Sequence, residues 1–400
     1  MFERRTPPEP DQILRLMGMF AADPRPDKVD LGVGVYRSAA GVTPIMAAVK
    51  EAERRIWEVQ ETKSYVGILG DPGFLEAMRD LVLGDAVPVS RVAACATPGG
   101  TGAVRQVLEI TRHLTPEATV RISDPTWPNH GAILRHLGQK HETYRYYDRE
   151  SGGLDREGMF ADLGRARPGD LILLHASCHN PTGADLRAGD WREIAAICAR
   201  TGAIPFVDMA YLGFGESLEA DAEGTRLLAA ALPEVFVAVS CSKNFGLYRE
   251  RAGAVLVVTG EGAPRAAASG ILTEFNRQNY TFPPDHGARI VEVILTDRGL
   301  RGMWRDELAA MRRTMLGNRT ALAEALRAET GSDRFGFLGA QSGMFSLSGA
   351  TPAQVTELRE THGIYVVGDG RMNVAGLTPG AIPRVARALA EVLASNAATA

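Results

Sequence analysis

VFVAVSCSKNFGLYRER, residues 235–251, runs a stretch of β-branched and aromatic residues straight into a lysine set among serines and a cysteine. The first half is apolar without alternation, which is the pattern of a strand covered on both faces. Four other runs share that character: TVRIS (119–123), DLILLH (170–175), AIPFVD (203–208) and GAVLVV (253–258). Between them lie Ala-rich stretches with helical spacing, at 188–200 and 222–232. Strands and helices taking turns predict an α/β fold, a mostly parallel sheet sandwiched by helices. Sheets of that kind bind ligands at the carboxyl ends of their strands. The search for chemistry therefore starts there.

At 400 residues the chain exceeds the size at which one hydrophobic core stops growing, so two domains are expected. Its C-terminal part changes character. A long helical stretch near 300–328 precedes short strands around 343–348 and 364–367, with helical patterns at 352–361 and 380–394. We expect an N-terminal arm (1–12), a smaller α/β domain built from 13–43 and 311–400, and a large domain spanning 44–310. A net charge of −4, with no block of like charges, argues against a nucleic-acid surface. No run approaches the ~20 apolar residues that cross a bilayer, and MFERRTPPEPDQIL lacks the apolar stretch of a signal peptide. Cys95, Cys178, Cys198 and Cys241 are scattered, without a Cys-x-x-Cys. That fits a reducing, cytoplasmic setting and no structural zinc.

Several chemically capable residues fall at predicted strand ends. Ser240, Ser242 and Lys243 follow VFVAV. A lysine beside a buried-type strand is partly desolvated, which suits Schiff-base chemistry. Asp208 ends AIPFVD, with Tyr211 three residues on. A deep carboxylate is costly unless paired; it caps a helix or faces a protonated ring nitrogen on a cofactor. TPGGTGAVRQVLEI (97–110) is a glycine turn opening a helix, so Gly100, Thr101 and Gly102 are candidates to cradle a phosphate. It lacks the full G-x-G-x-x-G pattern of dinucleotide folds. Asn180, in HASCHNPTGA (175–184), either caps a turn or donates to a phenolic oxygen. Trp127, in DPTWPNH (124–130), offers a flat stacking surface. His130 and His175 lie near these turns, but no metal-ligand spacing accompanies them; packing or indirect hydrogen bonding is expected, and no metal. Arg251, Arg277 and Arg371 are candidates for phosphate or carboxylate, which arginine grips with a two-pronged fork. Each residue alone has a plainer explanation. Their coincidence at strand ends does not.

With these motifs in order from DLGVGVY (30–36) to RMNVAG (371–376), the chain resembles the class I, fold type I aminotransferases that depend on pyridoxal phosphate, in their aspartate and aromatic-amino-acid branch. SCSKNFGLYRERAG and CHNPTG carry most of the likeness; TPGGTGA and DPTWPNH reinforce it. The resemblance implies that Lys243 holds the cofactor and shuttles protons, and that Asp208 partners the pyridine nitrogen. It implies that Asn180 and Tyr211 bond the phenolic oxygen and that Trp127 stacks on the ring. Gly100, Thr101, Ser240, Ser242 and Arg251 would form the phosphate cup, joined by Tyr65 from a neighbouring subunit. Arg371, beside Gly34, would clamp the substrate α-carboxylate, with Trp127 and Asn180 also facing substrate. Arg277 would receive a side-chain carboxylate across a homodimer with shared active sites.

The implied reaction is amino-group exchange between amino acids and 2-oxo acids, with 2-oxoglutarate as acceptor. Arg277 suits dicarboxylates such as aspartate. RQNYTFPP, however, has Phe282 where the aspartate branch usually carries asparagine, and Ser64 and Arg37 also depart from that branch. The pattern is similar to that of aromatic-amino-acid aminotransferases acting on tyrosine, phenylalanine and aspartate. A dedicated aspartate aminotransferase is the alternative, followed by a β-lyase or decarboxylase using the same cofactor.

Overall fold

The computed structural model describes residues 11–394. Most of the expected N-terminal arm (1–10) and the last six residues of the chain lie outside the described residues; Asp11 already caps a helix beginning at Gln12, accepting from the backbone N–H groups of Ile13 and Leu14. By its internal contacts the chain forms two compact units. One holds the described residues up to Thr43, then Pro181–Gly183 and everything from Thr314; the other holds Pro44–Asn180 and Ala184–Arg313.

The second unit is built on a seven-stranded sheet. Its strands are β1 (Val92–Pro98), β2 (Val120–Asp124), β3 (His141–Arg145), β4 (Leu171–His175), β5 (Ile204–Met209), β6 (Val235–Ser240) and β7 (Ala252–Val258), in spatial order β1-β7-β6-β5-β4-β2-β3. All pairings from β6 across to β3 are parallel, and β7 runs antiparallel to both β6 and β1. Every residue of β4 and β7 is buried, as strands covered on both faces must be. The five apolar runs read from the sequence are β2, β4, β5, β6 and β7. VAACATP and HETYR were not read as strands. The first is dominated by alanine, a poor strand former. The second is the sheet's edge, mostly polar and exposed, as edges are.

Helices lie between the strands, and helix α1 (Gly99–Leu114) buries Val104, Val107 and Leu108 against the sheet core. Helix α2 (Pro128–Leu137) follows β2, and helix α3 (Ala263–Asn279) follows β7. In the early part of helix α4 (Arg298–Thr330), fully buried Trp304 stacks on Phe245 at 4.5 Å and donates its indole N–H to the Asn244 carbonyl at 2.8 Å. That contact ties down the loop carrying Lys243. Among the described residues no helix is long and apolar enough to cross a membrane.

The other unit has its own core, in which Leu322, Leu326, Leu358, Ile364, Val385 and Leu389 meet. A parallel pair (Val29–Asp30 with Ile364–Tyr365) and an antiparallel pair (Phe345–Leu347 with Arg371–Asn373) run through it. Arg319 is fully buried here and donates to the carbonyls of Leu338, Ser342, Gly343 and Phe345 and to Ser346 Oγ, at 2.6–3.2 Å. Arg319→Met keeps an unbranched, largely apolar stem and removes every one of those donors. We expect it to lower stability by about 3–5 kcal/mol, the range for breaking a buried charged network. Urea unfolding of the cofactor-free protein reads this; a loss below about 1 kcal/mol would show that the network is dispensable.

Candidate active site

A cleft of about 180 Å³ opens at the carboxyl ends of β4, β5 and β6, where a parallel sheet leaves room between its loops. Eleven of the residues singled out in the sequence line it: Gly100, Thr101, Trp127, His175, Asn180, Asp208, Tyr211, Ser240, Ser242, Lys243 and Arg251. Ala210 and Tyr248 line it too. The sequence offered a signal for Tyr248, which sits in the lysine motif. Ala210 carried none.

One end of the cleft is made for an anion. The residue capping α1 is Pro98, which offers no side-chain acceptor, so the first N–H groups of a 16-residue helix face outward. The turn before it is closed by neighbours. A Cβ on Gly99 would stand 2.6 Å from Arg251 Nη2, and one on Gly100 would stand 2.8 Å from Ser240 Cβ. Only glycine permits that approach. Arg251 itself adopts a left-handed backbone (φ 56°), and its Nη1 donates to Ser242 Oγ at 3.2 Å. Helix N–H groups, hydroxyls and a guanidinium together form the donor set of a phosphate.

The other end is made for a cation. Asp208, buried in β5, accepts from His130 Nε2 through Oδ2 at 3.1 Å, and His130 Nδ1 lies 2.9 Å from Thr126 Oγ1. Burial, the largest effect, pushes the Asp208 carboxyl up, but the His130 hydrogen bond and nearby positive charge, Lys243 included, outweigh it. The net direction is down, so the group stays ionised. Lys243 lines the same cleft, its Nζ 4.6 Å from the centre of the Tyr211 ring. Phosphate donors, a buried carboxylate and a lysine lining one cleft fit pyridoxal phosphate.

His130, His175 and Asp208 bring ligand-type atoms within 4.8 Å of one another, a grouping that the sequence spacing did not reveal. Both nitrogens of His130 are already engaged, by Asp208 and Thr126, so a metal there would have to break an existing bond.

The remaining candidates are not among the residues that line the cleft. Tyr65 is 83% exposed and stacks on Phe282, ring centres 4.5 Å apart and planes 15° from parallel. Arg277 is exposed in the last turn of α3. Gly34 and Arg371 belong to the other unit. There Arg371, buried at the start of its strand, lies over the Phe345 ring at 4.3 Å and donates to the Gly32 carbonyl at 3.1 Å. A Cβ on Gly34 would meet Phe345 Cζ at 2.8 Å, so the backbone packs directly on that ring.

A family model described as "Aminotransferase class I and II" matches residues 26–389. The chain is 54% identical to an aromatic-amino-acid aminotransferase of Paracoccus denitrificans, over 96% of this chain and 98% of that protein. It is 41% identical to an aspartate aminotransferase of Salmonella typhi, over 98% of this chain and all of that protein. Among solved structures, an aromatic-amino-acid aminotransferase from Burkholderia pseudomallei, covalently bound to pyridoxal phosphate, superposes with a TM-score of 0.95. It is 42% identical and covers 98% of this chain and 99% of that one.

Arg251→Met tests the anion end. We expect the affinity of the cofactor-free protein for pyridoxal phosphate to fall about 10- to 100-fold, the size of one charge-assisted hydrogen bond. Binding of pyridoxal, which has no phosphate, should be unchanged. Equal losses for both ligands would remove Arg251 from the phosphate site.

Proposed function

Since the chain belongs to the class I and II aminotransferases, we propose that it carries pyridoxal phosphate on Lys243 and moves amino groups between aromatic amino acids or aspartate and 2-oxoglutarate. The observation that carries the reading is that Lys243 and Asp208 line one cleft whose far side is the glycine turn braced by Ser240 and Arg251.

When bound, the cofactor supplies an electron-withdrawing ring that takes up the electron pair left on the substrate Cα. The chain does the rest. Asp208, ionised and buried, keeps a proton on the ring nitrogen and so keeps that ring electron-poor. Trp127 offers a stacking face, while Asn180 and Tyr211 serve the phenolic oxygen. Lys243 would hold the cofactor and, with its amine free, would be the base that takes the proton from the substrate Cα and hands it on across the amino nitrogen, two atoms away. Gly100, Thr101, Ser240, Ser242 and Arg251 hold the phosphate, which fixes the ring relative to that amine. We assign the small domain to 13–43 and 311–400, where Arg371 beside Gly34 receives the substrate α-carboxylate through its fork.

We assign Arg277 to a side-chain carboxylate and Tyr65 to the phosphate, each in the cleft of a second copy, which makes the enzyme a homodimer with shared sites. Support comes from exposure. Trp57, Val59, Tyr65 and Ile45 are each more than half exposed within one short stretch, an apolar display of the kind that marks an interface. The aromatic preference rests on Phe282, whose ring stands against Tyr65 where a polar side chain would favour dicarboxylates alone. We place the enzyme in the cytoplasm, in keeping with four free, buried cysteines.

Lys243→Ala should abolish turnover and the visible absorbance of the lysine-bound cofactor; full activity in that variant would end the assignment. Arg277→Ala should lower kcat/KM for aspartate about 100-fold, the loss of a charge-assisted pair. Phenylalanine should lose far less. Matching losses on the two donors, each assayed with 2-oxoglutarate, would show that Arg277 does not read the side chain.

A further inference from the structure

A buried amide interrupts the apolar face of α3 just before Arg277. Leu272 and Phe275 lie on that face and pack into the sheet core, and helical spacing puts position 276 beside them. An apolar side chain is what that spacing asks for. Asn276 stands there instead, with none of its surface exposed. A polar side chain that deep is tolerated only where its hydrogen bonds are made.

Asn276 makes all of them. Its Oδ1 accepts from Gln106 Nε2 and from the Tyr280 hydroxyl, each at 2.7 Å. Its Nδ2 donates to the Ile68 carbonyl at 2.8 Å and to the Ala96 carbonyl at 3.3 Å. Two lone pairs and two N–H bonds exhaust what a side-chain amide can offer. Tyr280 stays a donor because burial pushes its phenol up, away from ionisation. The partners come from separate places. Gln106 lies in the middle of α1, Ala96 in β1, Ile68 in the segment that also carries Tyr65, and Tyr280 at the end of α3.

Backbone bonds latch the same segments. The N–H groups of Tyr280 and Thr281 both donate to the Asn276 carbonyl, at 3.1 and 2.8 Å, which closes the turn leading to Phe282. The Ala96 N–H donates to the Leu69 carbonyl at 2.7 Å. Residue 276 thus closes the end of α3 with its backbone and ties it to α1 and β1 with its side chain.

We propose that Asn276 is a positioning residue for Arg277 and thereby sets how well the enzyme reads dicarboxylate substrates. A wholly apolar face could slide or turn against the sheet at little penalty, since hydrophobic contact is non-directional. A filled amide permits one register only, because any shift of α3 leaves buried polar atoms without partners. Arg277 is the next residue, so that register fixes where its side chain starts. A displacement of about 1 Å is enough to weaken a two-pronged grip on a carboxylate. An aromatic side chain makes no such demand.

The inference rests on the assignment of Arg277 to a side-chain carboxylate, and the experiment separates the two. The holoenzyme is mixed with one amino acid alone, and loss of the visible band of the lysine-bound cofactor is followed. This gives a half-saturating concentration and a limiting rate. Asn276→Leu keeps the bulk and removes the amide. For aspartate we expect the half-saturating concentration to rise about tenfold, with the limiting rate within about twofold. Phenylalanine should stay within about twofold in both. In an Arg277→Ala background the same substitution should cost aspartate less than about twofold in their ratio, because nothing is left to position. A merely structural role predicts equal losses on both amino acids, undiminished when Arg277 is gone. Either result would overturn the proposal, as would an unchanged value for aspartate. If Asn276→Leu does not fold, Tyr280→Phe, which removes one bond to the amide, carries the same comparison at about threefold. An Arg277→Ala protein that handles aspartate as the wild type does would sink the Arg277 assignment itself, and this inference with it.

Discussion

A carboxylate inside a protein survives only where something outweighs the loss of water, and the site is organised around that constraint at Asp208. The group sits on a central strand, buried, with one oxygen spent on His130. Its other oxygen is left for the cleft. Parallel strands make this possible. Neighbouring carboxyl ends bring His175 and Asp208 side by side, while the helix after β2 reaches back to supply His130. Removing His130 would leave a negative charge in a low-dielectric pocket without that hydrogen bond, and burial would push its pKa up.

The phosphate end answers a different constraint, that of space. A helix N-terminus attracts an anion only if the anion can reach the N–H groups. Here the approach is opened by two successive glycines and walled by Ser240 and Arg251, residues that flank the lysine in sequence. The segment carrying Lys243 is therefore held from two sides. It packs against the glycine turn through Ser240 and Arg251, and it is anchored to α4 through Asn244 and Phe245 against Trp304. A rigid seat for the lysine follows from packing remote from the chemistry, which is how a reactive amine is kept at one position.

The central strands were legible because burial on both faces removes alternation and leaves runs of Val, Ile and Leu. The edge strand HETYR was not, since exposure there selects polar residues, and VAACATP hid behind its alanines. Among the site residues, those at the ends of legible strands could be found by position: Lys243, Asp208, Asn180 and Ser240. Relations between elements could not. The bond between His130 and Asp208 joins residues 78 apart, and the packing of Gly99 on Arg251 joins two loops with no shared sequence signal. His175 was visible as a histidine ending a strand, but the burial of both its ring nitrogens without a hydrogen-bond partner among the described residues shows only in the folded chain, with the His130 and His179 rings beside it.

Exposure tells a complementary story about Tyr65 and Phe282. Two aromatic rings stacked at 4.5 Å gain by excluding water from their shared face, yet Tyr65 keeps most of its surface in solvent. A side chain held in a defined orientation while exposed is ready to act on something beyond its own chain, because the cost of ordering it has been met in advance. Thr281, just before Phe282, adopts a left-handed backbone (φ 67°), a conformation a β-branched residue rarely takes. The strain lies in the turn that joins Arg277 to Phe282, and strain of this kind persists where the surroundings over-determine it. Arg277 and Phe282, to which we have assigned the side-chain carboxylate and the aromatic preference, are thereby joined through one strained turn, so on that proposal the same short segment bears on both halves of the specificity.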